Sequence, residues 1–183
     1  MNDVDLNKIE QMAAGCTLCE LCKGRNQPVF ARGYTNADVI VCGMCPGPDE
    51  NREGIPFVGA AGKILDSILN QMMYRAYITN LVKCYVQPGT SLDPKWMNTC
   101  LPYFVIQMHL IKPKVVIALG KDVSNFLLAR DEKIGALRKN TYNYMGSKLI
   151  CTYHPSYLAR GGGEKHKDFQ KVVGDFNTAM LYI

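Results

Sequence analysis

Four of the eight cysteines have the spacing of a metal-binding set. Cys16 and Cys19 form a Cys-x-x-Cys pair, in which a short loop lets both thiolates bind one centre. Cys84 and Cys100 lie in turn-rich or helix-flanking sequence and are the natural partners of that pair. Four thiolates can hold a tetrahedral zinc ion or an iron–sulfur cluster, and the spacing does not separate the two. Cys22 competes for a place in the set, because Cys19-x-x-Cys22 has the same spacing.

The remaining cysteines are not expected to bind metal. Cys42 and Cys151 fall within predicted strands and are expected in the core, whereas Cys45 lies in a loop. The N-terminus is acidic and lacks the basic-then-apolar pattern of a signal peptide, so we expect a cytosolic protein. A reducing compartment disfavours disulfides, which leaves metal ligation or buried free thiols as the two interpretations of the cysteines.

Polar residues follow three predicted strands at the point where each strand ends. The loop 43–51 follows a buried strand at 38–43, Asn80 closes a strand over 74–81, and His154 comes just after a strand within 144–153. In open parallel sheets, ligands bind beyond the carboxyl ends of the strands. We therefore expect these three segments to converge on one pocket.

The elements that would position this pocket alternate between strand and helix. Apolar patterns predict helices over 62–73, 96–111, 122–130 and 164–183, with Pro102 as a kink or a helix restart, and a further buried strand at 114–120. Such alternation predicts an α/β fold, a three-layer sandwich with a central, mostly parallel sheet flanked by helices. We expect residues 1–183 to form a single domain.

Composition narrows the function classes but does not choose among them. The apolar fraction of 48% and the charged fraction of 20% are those of a globular protein, and no apolar run is long enough to span a membrane. The net charge of +5 is compatible with a polyanionic partner but is not diagnostic of one.

Three stretches of the sequence resemble the active-site motifs of family 4 uracil-DNA glycosylases. They are Gly43-Met44-Cys45-Pro46-Gly47 with residues 54–66, then residues 77–84, then His154-Pro155-Ser156 with residues 157–160. Four cysteines also match the order and approximate spacing of that family's cluster ligands: Cys16, Cys19, Cys84 and Cys100. The similarity runs from about Cys16 to the final helix. Phage polymerase-associated proteins share this domain.

The resemblance implies a monofunctional enzyme that flips uracil out of DNA and hydrolyses its N-glycosidic bond, leaving an abasic site in base excision repair. Phe57 would stack on the flipped base and Asn80 would read its edge. His154 would donate a hydrogen bond to uracil O2, where negative charge develops. Glu50, with Asp49 as its alternative, would orient water or stabilise the positive charge on the sugar.

The resemblance also implies the surroundings of the reaction. The backbone of Gly43, Met44 and Cys45 would line the uracil pocket. The segment from Ser156 through Tyr157 to Arg160 would grip the DNA strand, with Leu158 as a wedge. Further phosphate contacts would come from basic residues: Arg138, Lys139 and Lys148. A [4Fe–4S] cluster on the four cysteines would have an architectural role. We expect a cytoplasmic, nucleoid-associated monomer (or one in the host cytoplasm, if viral) that acts on uracil-containing DNA with a replication or repair partner and no membrane.

The match departs from the family in its first motif. The family usually has Gly-Glu-Ala-Pro-Gly, and here Met44 and Cys45 replace Glu and Ala, so the carboxylate at the second position is missing. Met44 therefore favours an alternative, a catalytically weak or inactive DNA-binding or replication-accessory protein on the same fold. A third hypothesis is a redox or zinc protein unrelated to DNA. The basic, His-containing insertion of the relatives that trap DNA covalently is absent between Arg138 and Tyr144, which makes covalent trapping unexpected.

Overall fold

Six strands form one sheet in the computed structural model, which describes residues 5–183. The strands are β1 (Ala31–Gly33), β2 (Val39–Gly43), β3 (Ala76–Asn80), β4 (Val115–Leu119), β5 (Thr141–Tyr144) and β6 (Ser147–Thr152). Their spatial order is β1-β3-β2-β4-β6-β5. The four inner strands run parallel, whereas β1 and β5 pair antiparallel at the two edges. The predicted α/β fold with a mostly parallel sheet is confirmed.

Helices cover both faces of the sheet. They are α1 (Leu6–Ala14), α2 (Pro48–Glu53), α3 (Ala60–Leu69), α4 (Pro94–Ile111), α5 (Lys121–Leu128), α6 (Ile134–Leu137), α7 (Pro155–Arg160) and α8 (Phe169–Thr178). One face carries α4, α5 and α6, and the other carries α3, α7 and α8. Among the described residues, no helix is both long and apolar enough to cross a bilayer.

Strand alternation divides the interior into two cores. Successive side chains of a strand point to opposite faces, so that Ile40 and Cys42 of β2 pack with α4 and α5. Val39 and Val41 of the same strand pack with α3 and α8. Both sets are fully buried, which is why the inner strands are continuously apolar in sequence.

Helix α1 brings the first cysteines to the rest of the fold. Its buried residues Ile9 and Ala13 pack against Phe30 and against Tyr103 of α4. The helix ends at Gly15, so the chain emerges at Cys16 beside the helix that carries Cys100. A short 3-10 helix, Glu20–Lys23, follows with Cys19 as its N-cap.

Three expectations about the elements need correction. Pro102 is expected to mark a kink or a helix restart, and the restart is wrong, because α4 runs without interruption through it. The strand expected within 144–153 is β6, but residues 141–144 form a further strand, β5, which pairs with it as a hairpin, and Met145 and Gly146 at the turn both have positive φ. The last helix begins at Phe169 rather than near residue 164, because α7 and a short 3-10 turn, Gly163–Lys165, precede it.

Candidate active site and thiol cavity

The carboxyl ends of β2, β3 and β6 meet at a cavity of about 240 Å³. Asn80 is the last residue of β3, and His154 follows β6 by two residues. The loop after β2 and the first turn of α3 supply most of the remaining wall: Cys45, Pro46, Gly47, Pro48, Asp49, Glu50, Phe57, Gly59, Ala60, Ala61 and Ser156 also line the cavity. The expected convergence of three strand-end segments is therefore observed.

Asn80 presents a buried acceptor that has no partner. Asn80 is 2% exposed. Its Oδ1 is the one buried side-chain N or O atom within residues 5–183 that lacks a hydrogen bond. Gly43 leaves the room for this amide, because a Cβ there would lie 2.3 Å from Oδ1 and 2.7 Å from Cζ of Phe57. An unsatisfied buried acceptor is costly, so its presence in a cavity points to a ligand that donates a hydrogen bond.

Phe57 is held in a strained conformation against the cavity. Its φ of 56° is in the left-handed region, which disfavours residues with a Cβ. Arg32 Nε donates to the carbonyl of Pro56 at 2.8 Å, and Arg32 also pairs with Asp66 of α3. Gly62 is required beside it, since a Cβ at that position would overlap the Phe57 carbonyl at 1.8 Å. The ring lies buried, with its centroid 6.0 Å from that of His154.

His154 is fixed in one neutral tautomer. The backbone N–H of Ser156 donates to Nδ1 at 3.1 Å, and the Ser156 hydroxyl lies 2.8 Å from the same atom. Because Nδ1 accepts, the proton of the neutral ring is on Nε2. Burial lowers the pKa of His154 to about 4, and Arg160 acts in the same direction. The imidazole is therefore an uncharged Nε2–H donor at neutral pH.

Glu50 is a buried carboxylate that holds two walls of the cavity together. Its Oε2 accepts from the backbone N–H of Gly47 at 2.9 Å. Its Oε1 accepts from the N–H groups of Val58 at 2.9 Å and Gly59 at 3.0 Å. Asp49, the alternative carboxylate, lies nearer the surface and pairs with Arg52. Three backbone donors keep the negative charge of Glu50 beside the cavity.

The lining of the cavity includes Cys45 but neither Gly43 nor Met44. Contact between the base and the Met44 backbone therefore stays a prediction. The Met44 side chain continues the alternation of Ile40 and Cys42 and is buried in the core on the α4 side of the sheet. Its carbonyl accepts from the N–H of Val82 at 2.8 Å. A carboxylate at position 44 in this conformation would also point away from the cavity.

The expected DNA-gripping segment is the short helix α7. Ser156 lines the cavity, whereas Tyr157 and Arg160 are exposed. Leu158 is fully buried on the face of α7 that packs against α3, so it cannot act as a wedge and that expectation is wrong. The Tyr157 hydroxyl donates to Asp168 at 2.9 Å, which ties α7 to the start of α8.

Two of the three basic candidates outside α7 are unsuited to phosphate contact at this edge. Arg138 forms a largely buried, bidentate pair with Asp175 at 2.8 and 3.0 Å. Lys148 lies opposite Val115, at the amino end of the sheet and away from the cavity. Lys139 is exposed and precedes β5, which starts at the carboxyl edge of β6.

A second cavity is lined by five thiols: Cys16, Cys19, Cys22, Cys84 and Cys100. Cys19 is the N-cap of the 3-10 helix and Cys22 lies within it, and both thiols border the cavity. Cys22 therefore lies in the same cavity as the four expected ligands, and it remains an alternative to Cys19. Within residues 5–183, no three His, Cys, Asp or Glu side chains converge tightly enough to hold a single metal ion. Cys42 and Cys151 are buried in the core, as expected.

Hydrogen-bond donors face two of the thiols. Arg25 donates from Nη1 to Cys84 Sγ at 2.9 Å and from Nη2 to the carbonyl of Cys16 at 2.6 Å. The backbone N–H of Lys83 donates to Cys100 Sγ at 3.2 Å. Burial raises the pKa of the Cys84 and Cys100 thiols, and these donors offset part of that effect by favouring the thiolate.

Comparison with known proteins shows the family of this chain. The model of the uracil DNA glycosylase superfamily matches residues 30–177. Three similar proteins carry the name Type-4 uracil-DNA glycosylase. The protein from Pyrobaculum aerophilum is 32% identical over 93% of this chain and 94% of its own length. The protein from Thermotoga maritima is 32% identical over 96% of this chain and 93% of its own length. The protein from Saccharolobus solfataricus is 35% identical over 85% of this chain and 77% of its own length. This chain belongs to the type-4 family of the uracil-DNA glycosylase superfamily.

Sequence reasoning missed two basic residues of this uracil-DNA glycosylase family member. Arg25 and Lys83 both contact the thiol cavity, and the Lys83 side chain is buried beneath Asn80. The only signal in the sequence was that each basic residue lies near a proposed cysteine ligand. That signal is weak, because most lysines and arginines are exposed to solvent. The role of Ser156 in fixing the His154 tautomer also required coordinates.

We expect His154 to remain neutral with its proton on Nε2 throughout the neutral range. Long-range ¹H–¹⁵N spectra of the histidine rings, assigned with His154→Ala, should give one constant Nε2–H pattern for this residue between about pH 6 and 8. Since its folded pKa of about 4 is below the usual 6.5, acid favours the unfolded state, and the free energy of unfolding should fall as the pH drops below 6.5. Titration of His154 near pH 6.5, or an Nδ1–H pattern, would contradict this.

Proposed function

We propose that this chain is a monofunctional uracil-DNA glycosylase that hydrolyses the N-glycosidic bond of a flipped-out uracil and leaves an abasic site. The observation that carries the proposal is the buried, unpartnered Oδ1 of Asn80 in the same cavity as the neutral His154. Uracil has an N3–H donor next to two carbonyl acceptors, which complements this pair. Membership of the type-4 family supports the same reaction.

The cavity supplies recognition of the base before any bond breaks. A base must leave the stack for its glycosidic bond to be reached, and Phe57 offers a ring on which it can rest. Asn80 Oδ1 would accept from uracil N3–H while its Nδ2 donates to O4. Cytosine has no hydrogen on N3, so it would leave Oδ1 unsatisfied. The site therefore favours uracil by the cost of an unmade buried hydrogen bond.

Bond cleavage would leave an electron pair on the departing base. As the C1′–N1 bond breaks, negative charge spreads from N1 to O2, where the Nε2–H of His154 can donate. A water molecule adds its hydroxyl to C1′, and its remaining proton neutralises the uracil anion. Glu50 would place a fixed negative charge beside the cationic sugar and position that water while its backbone contacts keep the walls in place.

DNA contacts would surround the cavity mouth. Ser156, Tyr157 and Arg160 of α7 supply polar and basic groups beside it, and Lys139 adds an exposed charge at the same edge of the sheet. Phosphate contacts of this kind set position and affinity without reading sequence. We propose that α7 and Lys139, rather than Arg138 and Lys148, form the interface.

A [4Fe–4S] cluster held by Cys16, Cys19, Cys84 and Cys100 is the proposed content of the thiol cavity. The four thiols border one space, as ligands of a single cluster would. When bound, the group would supply cross-links rather than redox chemistry. Arg25 would offset its negative charge and join the segment after α1 to residue 84.

The central test is excision of uracil from a single-stranded oligonucleotide by anaerobically purified protein. We expect wild type to produce alkali-sensitive abasic sites, and His154→Ala to slow the single-turnover rate constant by about a hundredfold or more, the usual cost of losing an oxyanion donor. His109→Ala, on the exposed side of α4, is the matched control and should retain the wild-type rate. Absence of product from wild-type protein with its cluster intact would support the accessory-protein alternative.

Paired serine variants test the cluster ligands. Cys19→Ser should lower bound iron and inorganic sulfide and weaken the visible absorption of the cluster, because a ligand is lost. Cys22→Ser, one 3-10 turn away in the same cavity, is the control and should retain both. Retention in Cys19→Ser together with loss in Cys22→Ser would instead assign the ligand position to Cys22.

Position 44 tests whether the missing carboxylate weakens the enzyme. Met44→Glu would bury an unpaired charge in the α4-side core, so we expect a lower melting temperature and a loss of about 3 kcal/mol in the free energy of unfolding. The excision rate constant should not rise, because the side chain points away from the cavity. A gain of about tenfold or more, equivalent to 1.4 kcal/mol, would mean that the protein is a decayed enzyme after all.

A further inference from the structure

Lys83 is a buried cation that the proposed chemistry does not use. The residue is 2% exposed, yet all three protons of its ammonium have acceptors. Nζ donates to the carbonyl of Asn80 at 2.5 Å, to Oγ1 of Thr79 at 2.8 Å and to Oε1 of Gln107 at 2.7 Å. The ring of Phe30 lies 5.6 Å from Nζ on a further side. Burying a lysine is costly even when it is fully paired, so its presence calls for an explanation.

One of those acceptors belongs to the residue that faces the base. The carbonyl belongs to Asn80, the last residue of β3, which pairs with Gly43 of β2 before the chain continues toward the thiol cavity. Lys83 reaches back over this turn and fixes the peptide that follows Asn80. The orientation of a side chain depends on the φ and ψ of its own residue, so this contact constrains where the Asn80 amide points.

The lysine is itself anchored from two directions. Its N–H donates to Cys100 Sγ at 3.2 Å, and its carbonyl accepts from the N–H of Val29 at 2.8 Å. Gln107 of α4 is also fixed, since its Nε2 donates to the hydroxyl of Tyr77 at 2.9 Å. The ammonium is thus a rigid donor, and movement of the Asn80 carbonyl would leave a buried charge undersatisfied.

We propose that Lys83 is a positioning residue for the reaction, which acts by holding the main chain of Asn80 so that its amide meets the flipped base. The proposal deepens the proposed glycosylase function and rests on it. Lys83 touches neither base nor sugar, because it lies behind Asn80 and is absent from the lining of the cavity. We expect its effect on uracil excision to pass through Asn80, whose carbonyl its ammonium holds.

The test is a double-mutant cycle in single-turnover excision. Lys83→Met keeps the length of the side chain and removes the ammonium, and we expect it to lower the rate constant by about ten- to a hundredfold, as misplaced reacting groups do. In an Asn80→Ala background the same change should cost less than about twofold, because the residue that Lys83 positions is already gone. A merely destabilising change would lower the amplitude, which counts active molecules, and leave the rate constant intact.

Two further variants keep the result interpretable. Gln107→Met removes one acceptor of the ammonium and serves if Lys83→Met does not fold; it should give a smaller loss with the same dependence on Asn80. Lys114→Met changes an exposed lysine at the amino end of the sheet and should leave the rate constant unchanged. Equal losses from Lys83→Met in the wild-type and Asn80→Ala backgrounds, or no loss in either, would overturn the proposal.

A readout independent of excision separates this proposal from the proposed function. The ¹H–¹⁵N signals of the Asn80 side-chain amide, identified by their loss in Asn80→Ala, should shift in folded Lys83→Met and not in Lys114→Met. Unchanged signals would overturn the role of Lys83 whether or not the protein excises uracil. A shift in protein that cannot excise uracil would uphold the placement of Asn80 by Lys83 and reject the glycosylase function.

Discussion

Parallel pairing of the inner strands is the constraint on which both cavities depend. Because β2, β3, β4 and β6 all run the same way, their carboxyl ends meet at one edge of the sheet. Asn80, His154 and the loop after β2 reach that edge from distant parts of the sequence. The turn after β3 then leads directly to Cys84, so the end of this one strand contributes to both the cavity beside Asn80 and the cavity lined by thiols.

Hydrogen-bond satisfaction identifies the place where a ligand belongs. Glu50 has three backbone donors, Nδ1 of His154 has the N–H of Ser156, and Lys83 has three acceptors. By contrast, Oδ1 of Asn80 has no hydrogen-bond partner. Buried polar atoms are rarely left unpaired, so an unpaired one indicates a functional role. A base with an N–H beside a carbonyl would supply the missing donor, which is the basis of the proposed recognition of uracil by Asn80.

Much of this account could be predicted from sequence, and the failures have physical causes. Continuous apolar runs located β2 and β4 because both faces of those strands are covered. Leu158 was misplaced because a six-residue helix has too little periodicity to reveal its buried face. Arg138 was misjudged because its partner, Asp175, lies 37 residues further along the chain. Met44 is different, since the alternation of Ile40 and Cys42 already implied the direction of its side chain.

The measurement that most directly tests the central claim compares two substrates that differ by one methyl group. Single-turnover excision is followed on an oligonucleotide with uracil and on one with 3-methyluracil, in which N3 carries no hydrogen. If Asn80 Oδ1 accepts a hydrogen bond from the base, methylation should slow excision by about a hundredfold or more, since it removes the donor and crowds a buried acceptor. Equal excision of both substrates would contradict the account.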